Sequence, residues 1–170
     1  MERIAKFEKV SYNQFLKDFK DTFNNYNDEE IKAIYENIKL PKRATIGSAG
    51  YDVFSPIDFS LKPNETIKIP TGIRVKMECG WVLLNFPRSG LGFKYRLQLN
   101  NKVGIIDSDY YNADNEGHIF TKITNASNEN KTVEVKAGQG FSQGIFMRFG
   151  ITEDDEVSEN RTGGFGSTTK

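Results

Sequence analysis

The part of the chain after Pro41 consists of short runs rich in β-branched and aromatic residues, and this pattern constrains the fold most. Ile73, Val75 and Met77 illustrate it, because every second residue there is apolar. Gly, Pro, Asn and Asp lie between the runs as turn residues. The runs predicted to be strands are TIKIP, GIRVKME, WVLLNF, LQLN, VGIID, HIFTKIT, TVEVK and GIFMRFGI. Many short strands without intervening helices indicate a mainly β, antiparallel sandwich or barrel.

The first forty residues are predicted to be helical instead. Ser11 with Gln14, and Asn27 with Glu30, each fit a capping box at the start of a helix. Apolar residues recur at helical spacing after each box, and Pro41 is predicted to end the second helix. We interpret this region as two helices packed on the β-body, in preference to a hairpin that binds a partner.

Length and charge indicate one globular domain without a general affinity for polyanions. The 170 residues contain 23 Lys and Arg and 23 Asp and Glu, so no net positive field favours nucleic acid or an anionic membrane. The single cysteine, Cys79, excludes an intramolecular disulfide and favours the cytoplasm. The single histidine, His118, is expected to be a strand residue. The first residues, MERIAKFEKVSYNQ, are expected to form neither a signal peptide nor a membrane span.

Two segments could bind an anion, and each also has a plain structural interpretation. Residues 161–170, RTGGFGSTTK, are either a disordered tail or a flap whose glycine N–H groups and hydroxyls hold phosphate. In FPRSGLGFK, Arg88 could hold a phosphate with help from Ser89 and Gly90, or the segment could be a β-turn with a surface arginine.

Acidic and polar residues at strand ends supply candidates for catalysis. Asp107 follows the apolar run VGII, where a carboxylate could orient and deprotonate a water molecule, and Tyr110 could stack on a sugar. Asp109 is assigned to an ordinary turn. Asp52, in GYDVF, could position an arginine or a hydrated metal ion, and Gln143 offers a neutral hydrogen-bonding group.

In this order, the segments AGYDV, PRSG, NKVGIIDSDYY, GFSQ and RTGGFGST resemble the motifs of the trimeric deoxyuridine triphosphatase (dUTPase) family. The resemblance covers residues 49–168. It implies a jelly-roll-like β-barrel or sandwich, assembled as a homotrimer whose active sites each combine residues of three subunits. The expected division is a helical extension over residues 1–40, a β-body over 41–151, and a linker with a flexible glycine-rich arm over 152–170. The resemblance implies that this arm closes over the site of a neighbouring subunit.

The resemblance also implies a role for each matching residue. Asp107 matches the acid that activates the attacking water, and Tyr110 matches the ring that packs on deoxyribose and excludes a 2′-hydroxyl. Asp52 matches the acid that supports an arginine and, through water, a metal ion. The positions that match the uracil-reading hairpin are Asn101, Gly104, Ile105 and Ile106. Those that match phosphate contacts are Arg88, Ser89, Gly90, Gln143, Arg161, Ser167 and Thr168, while Phe165, followed by Gly166, matches the ring that covers uracil.

The implied reaction is attack of water on the α-phosphorus of dUTP, releasing dUMP and pyrophosphate, with Mg²⁺ held mainly by the substrate phosphates. Such an enzyme limits uracil in DNA and supplies dUMP for thymidylate synthesis. The alternatives are a dCTP deaminase on the same fold and a nucleotide-sensing regulatory protein with a protein partner. The segment NADNEGH, residues 112–118, is longer than the turn the resemblance implies, and its role is left open between the base pocket and a trimer contact.

Overall fold

The computed structural model describes residues 2–159, Arg161 and Gly163. Within this range three α-helices and a 3₁₀ helix accompany the strands: α1 (Tyr12–Thr22), α2 (Asp28–Glu36), α3 (Ser89–Tyr95) and the 3₁₀ helix (Ser108–Asn112). The strands are β1 (Ala5–Lys9), β2 (Lys42–Arg43), β3 (Tyr51–Phe54), β4 (Phe59–Leu61), β5 (Thr66–Pro70), β6 (Ile73–Met77), β7 (Trp81–Pro87), β8 (Leu97–Leu99), β9 (Gly104–Ile106), β10 (Phe120–Asn125), β11 (Val133–Val135) and β12 (Gly140–Arg148).

All the strand pairs described are antiparallel, and they form four sheets. The largest has the order β2-β3-β12-β7-β9, and a second has the order β5-β10-β8. The two remaining pairs are β1-β6 and β4-β11. Strand β12 lies at the centre of the largest sheet and carries a register shift between Gly140 and Ser142, where it passes β3. The prediction of a mainly β, antiparallel fold is therefore confirmed.

Each of the eight runs predicted as strands overlaps a strand, but His118, expected in a strand, lies before β10, and two predictions about the first forty residues are wrong. Residues 5–9 form strand β1 rather than a helix, because they pair with the full length of β6. Helix α2 ends at Glu36, with Asn37 as its C-cap, so the helix stops before Pro41. The capping box of Asn27 and Glu30 is confirmed, whereas Gln14 turns its side chain to Asp18.

The N-terminal helices are part of the main core. Phe15 and Phe19 of α1 and Ile31 of α2 are fully buried, and the ring of Phe15 lies 6.2 Å from the ring of His118. Burying one such side chain stabilises a fold by about 1.5–3 kcal/mol. The burial of Phe15, Phe19 and Ile31 therefore contributes substantially to the stability of the whole domain. No helix in the part of the chain that the structure describes is long and apolar enough to cross a membrane.

Candidate active site

A cavity of about 440 Å³ lies beside the turn that joins β8 to β9. Asn101, Gly104 and Ile106, three of the predicted base-reading positions, line it, whereas the side chain of Ile105 is exposed. A Cβ atom at Gly104 would lie 3.2 Å from Cβ of Asn85 on the neighbouring strand β7. Glycine therefore lets the two strands pack closely here and keeps main-chain groups accessible from the cavity.

Asn85 is a lining residue that the sequence analysis missed. It is only 4% exposed, and its Nδ2 donates a hydrogen bond to Oγ1 of Thr121 at 3.1 Å. Its Oδ1 has no hydrogen-bond partner among the described residues. Alternation predicts that Asn85 shares the inward face of β7 with Leu83. An inward-facing asparagine within the apolar run WVLLNF could therefore have indicated a polar group in the wall of a site.

Asp107 lies directly after β9 and is the N-cap of the 3₁₀ helix. Its Oδ2 accepts a hydrogen bond from Nη2 of Arg161 at 2.5 Å, and Oδ1 of Asp109 accepts one from Nε of Arg161 at 3.0 Å. The Asp107 side chain is 45% exposed, so solvent also reaches it. Asp109 is thus more than the turn residue predicted, because together with Asp107 it binds the first residue of the arm.

Tyr110 is buried next to these acids. Its ring is only 3% exposed, and the Arg161 guanidinium lies 5.7 Å from the ring centroid. The hydroxyl donates to the carbonyl of His118 at 2.7 Å and accepts from Nδ2 of Asn115 at 2.8 Å. Burial raises the pKa of Tyr110 to about 12, so the hydroxyl keeps its proton at neutral pH.

The predicted phosphate contacts lie around a second depression. Arg88 is the N-cap of α3, Ser89 begins that helix, and both line the depression. The Arg88 guanidinium is held by Oδ1 of Asp52, 3.1 Å from Nε, and by the carbonyl of Gly140, 3.4 Å from Nη1. The segment is therefore a short helix rather than a β-turn, and the Arg88 side chain is ion-paired with Asp52.

Gln143 and Gly90 adjoin this depression in different ways. Gln143 faces Asp52 across the β3–β12 pair, and its Nε2 donates to the carbonyl of Pro87 at 3.2 Å. A Cβ atom at Gly90 would meet no described atom within 4 Å, so the helix surface is open there. The predicted contacts Phe165, Gly166, Ser167 and Thr168 lie outside the described residues.

The described residues do not fit a metal site built by the protein. They contain no group of three or more His, Cys, Asp and Glu side chains close enough to hold an ion. Asp52, the predicted water-mediated metal contact, forms an ion pair with Arg88. A metal ion that acts here would therefore have to bring most of its ligands with it.

Comparisons with known proteins identify the family of the chain. The family model described as dUTPase matches residues 36–169. The deoxyuridine 5′-triphosphate nucleotidohydrolase of Lactococcus lactis is 44% identical over 144 residues, which cover 82% of this chain and 95% of the relative. The crystal structure of dUTPase from Streptococcus mutans superposes with a TM-score of 0.63 at 36% identity and covers 86% of this chain and 98% of its own.

A more distant structure agrees in fold alone. A mutant dUTPase from phage phi11 of S. aureus, whose structure details the coordination of a structural Mg(II) ion, has a TM-score of 0.63 at 21% identity. It covers 92% of this chain and 98% of its own. The family match extends over well more than half of the chain and includes both depressions, and the chain therefore belongs to the dUTPase family.

Proposed function

We propose that the chain is a dUTP diphosphatase, which hydrolyses dUTP to dUMP and pyrophosphate. The observation that carries the proposal is the position of Asp107, a solvent-accessible carboxylate directly after the strand whose residues line the cavity. The names of the relatives from Lactococcus lactis and Streptococcus mutans support the same substrate. The activity would limit uracil in DNA and supply dUMP for thymidylate synthesis.

The cavity beside the turn between β8 and β9 is the proposed uracil site. Asn101 and the main chain of residues 104–106 would hydrogen-bond the base edge, and the closed end of the cavity would exclude the thymine methyl group. The ring of Tyr110 would pack on the deoxyribose and leave no room for a 2′-hydroxyl. The two hydrogen bonds to its hydroxyl support that role, because a fixed ring can exclude an added atom.

Hydrolysis would begin with a water molecule oriented by Asp107. The carboxylate accepts a proton as the water oxygen bonds to the α-phosphorus, and the bond from that phosphorus to the oxygen bridging to the β-phosphate breaks. Pyrophosphate carries away the bonding electron pair. Arg161 must leave Asp107 before the carboxylate can act, and a phosphate would be its new partner.

The depression at Arg88 is the proposed site for the α- and β-phosphates. The planar guanidinium, held by Asp52, can donate to two phosphate oxygens at once, and Ser89 and Gly90 offer a hydroxyl and an open backbone. Gln143 would add a neutral hydrogen bond on the phosphate side. The remaining proposed contacts come from the arm: Arg161, Ser167 and Thr168 to the distal phosphates, and Phe165 with Gly166 over the base.

Mg²⁺ is proposed to enter as part of the substrate. The three phosphates would supply most of its ligands, with Asp52 reached only through water. The lack of an acidic cluster among the described side chains supports this route, and the charge of the ion would be neutralised by the triphosphate. The structural Mg(II) ion of the phage phi11 protein is a different ion from the substrate-bound Mg²⁺ proposed here.

A homotrimer is the proposed assembly. In one chain the base-site residues and Arg88 line two different depressions, so a complete site would need loops from more than one subunit. The ring of Phe93, which lines the same depression as Arg88, is almost fully exposed. This exposed apolar ring supports a contact with another subunit at that position. The cytoplasm is the proposed location.

A dCTP deaminase and a nucleotide-sensing regulatory protein remain the two alternative functions. The sequence has RSGLG and IDSDYY where the deaminase pattern differs, which disfavours deamination. The regulatory alternative predicts nucleotide binding without turnover and a partner docked on residues 1–40 or 112–118.

One assay separates these functions. The full chain is incubated with Mg²⁺ and, in turn, dUTP, UTP, dTTP or dCTP, while pyrophosphate and ammonia are measured and the oligomer size is determined by light scattering. We expect pyrophosphate from dUTP alone and a trimer. Ammonia from dCTP would establish the deaminase, and dUTP binding without product would establish the regulatory protein. A strictly monomeric chain would contradict the shared site.

A further inference from the structure

The hydroxyl of Tyr110 is held by one segment of the chain, residues 112–118. The carbonyl of His118 accepts its proton at 2.7 Å, and Nδ2 of Asn115 donates to its oxygen at 2.8 Å. Asn115 also lines the cavity. The longer segment therefore reaches the ring proposed to exclude ribose and contributes to the wall of the base site.

A glycine fixes the path of this segment. Gly117 has a φ of +70°, and a Cβ atom there would lie 2.6 Å from the carbonyl oxygen of Tyr110. A side chain at this position would strain the backbone and push the segment away from the ring. The N–H of Gly117 donates to Oδ1 of Asn115 at 3.2 Å, which orients the amide so that its Nδ2 points to the Tyr110 hydroxyl.

Helix α1 holds the same segment through His118. His118 is fully buried, outside any strand, and its Nε2 accepts a hydrogen bond from the N–H of Gly72 at 2.8 Å. Nδ1 must then carry the proton of the neutral ring, and it donates to Oδ2 of Asp18 at 2.5 Å. Gln14 donates to the same carboxylate at 2.8 Å, so the acceptor on α1 is itself oriented.

A second contact joins the start of α1 to the segment. The N–H and the hydroxyl of Ser11, the N-cap of α1, donate to the two carboxylate oxygens of Glu116 at 2.7 and 2.6 Å. Two polar contacts about two turns apart on the helix therefore connect α1 to residues 116–118.

We propose that helix α1 is a positioning element for the active site, which acts through Asp18 and His118 to fix Tyr110 and so sets the preference for deoxyribose over ribose. The inference rests on the proposed function, in which the Tyr110 ring packs on the sugar. Without the Asp18 acceptor, His118 keeps only the Gly72 N–H of the two hydrogen-bond partners that fix its ring, its carbonyl shifts, and the ring of Tyr110 can withdraw. Space for one additional atom changes discrimination by about 10- to 200-fold in typical enzyme pockets.

The test compares kcat/KM for dUTP and UTP in the full chain with Mg²⁺. In Asp18→Ala we expect the ratio of the two values to fall by about tenfold, near the lower end of that range. Asp18→Asn keeps an acceptor for the His118 N–H, so it should recover most of the ratio. Asn13→Ala, at an exposed position of the same helix, should leave the ratio unchanged.

The ratio distinguishes positioning from a general loss of stability, since a smaller folded fraction lowers both rates by the same factor. If Asp18→Ala does not fold, Glu116→Ala, which breaks the second contact with α1, is measured in its place and should lower the ratio too. An unchanged ratio in the variant that folds would overturn the inference. A wild-type chain that does not hydrolyse dUTP would contradict the proposed function itself, and that outcome is seen before any variant is compared.

Discussion

Replacing Asp107 with asparagine is expected to change turnover and nucleotide affinity in opposite directions. Asp107→Asn keeps the size of the side chain but removes the carboxylate proposed to take the proton of the attacking water. General-base catalysis contributes about 10²- to 10⁴-fold to a rate, so kcat for dUTP should fall by that factor.

Affinity should rise because the substitution releases Arg161. In the free protein this guanidinium lies 2.5 Å from Asp107 and 3.0 Å from Asp109, and it must leave both to reach a phosphate. An ion pair with a 45% exposed carboxylate is worth about 0.2–1 kcal/mol, which corresponds to a gain in affinity of up to about fivefold.

The two effects are measured separately. Pyrophosphate release gives kcat, and isothermal titration calorimetry with Mg²⁺ and an α,β-imido analogue of dUTP gives Kd for both proteins. Asp109→Asn is the control, because it weakens the contact with Arg161 and leaves the proposed base intact. Turnover that survives in Asp107→Asn would refute the assignment of the base. Weaker binding by Asp107→Asn at low salt would refute the competition for Arg161.

Three further predictions concern the phosphate site, the arm and the contact between α1 and residues 112–118. Arg88→Lys should lower kcat/KM for dUTP about 10- to 100-fold, since one charge-assisted hydrogen bond of about 1.5–3 kcal/mol is lost; wild-type kinetics would contradict this. Deleting residues 161–170 should lower kcat at least about 10²-fold with no change in thermal midpoint, and unchanged kinetics would restore the disordered-tail interpretation. Burial alone would raise the pKa of Glu116, but the hydrogen bonds from Ser11 lower it below the ordinary 4.5. Its stabilisation is therefore present above that pH and lost as the pH falls further. Urea unfolding of wild type and Glu116→Gln should accordingly converge as the pH is lowered, and a constant difference would contradict the assignment.

The strands of the body could be predicted because their alternation is local. Strand β12 shows the limit, since it begins at Gly140 whereas the predicted run began at Gly144. The residues in between include Ser142 and Gln143, whose polarity is typical of a loop. Pairing of this part of β12 with β3 and β7 decides its conformation, and that pairing is not visible in a single segment.

The site could be predicted as separate motifs but not as a set of contacts. Asp107 and Tyr110 stand in one specific motif, so their positions were available from the sequence. The pair of Asp18 and His118 joins residues 100 positions apart, and neither residue lies in a recognisable motif. Asp18 and His118 meet because the packing of Phe15 and Phe19 places α1 against the β-body. Such contacts depend on tertiary structure, so local patterns cannot predict them.

Strand β1 has a consequence for the strand edge that β6 would otherwise expose. It pairs with β6 along its whole length, and β6 has no other strand partner in the described sheets. Removing residues 2–9 would leave the amides and carbonyls of β6 exposed as an unprotected edge, which is a template for sheet extension between molecules. Pairing with β1 thus blocks this side of β6 to other molecules, independently of any contribution to the chemistry.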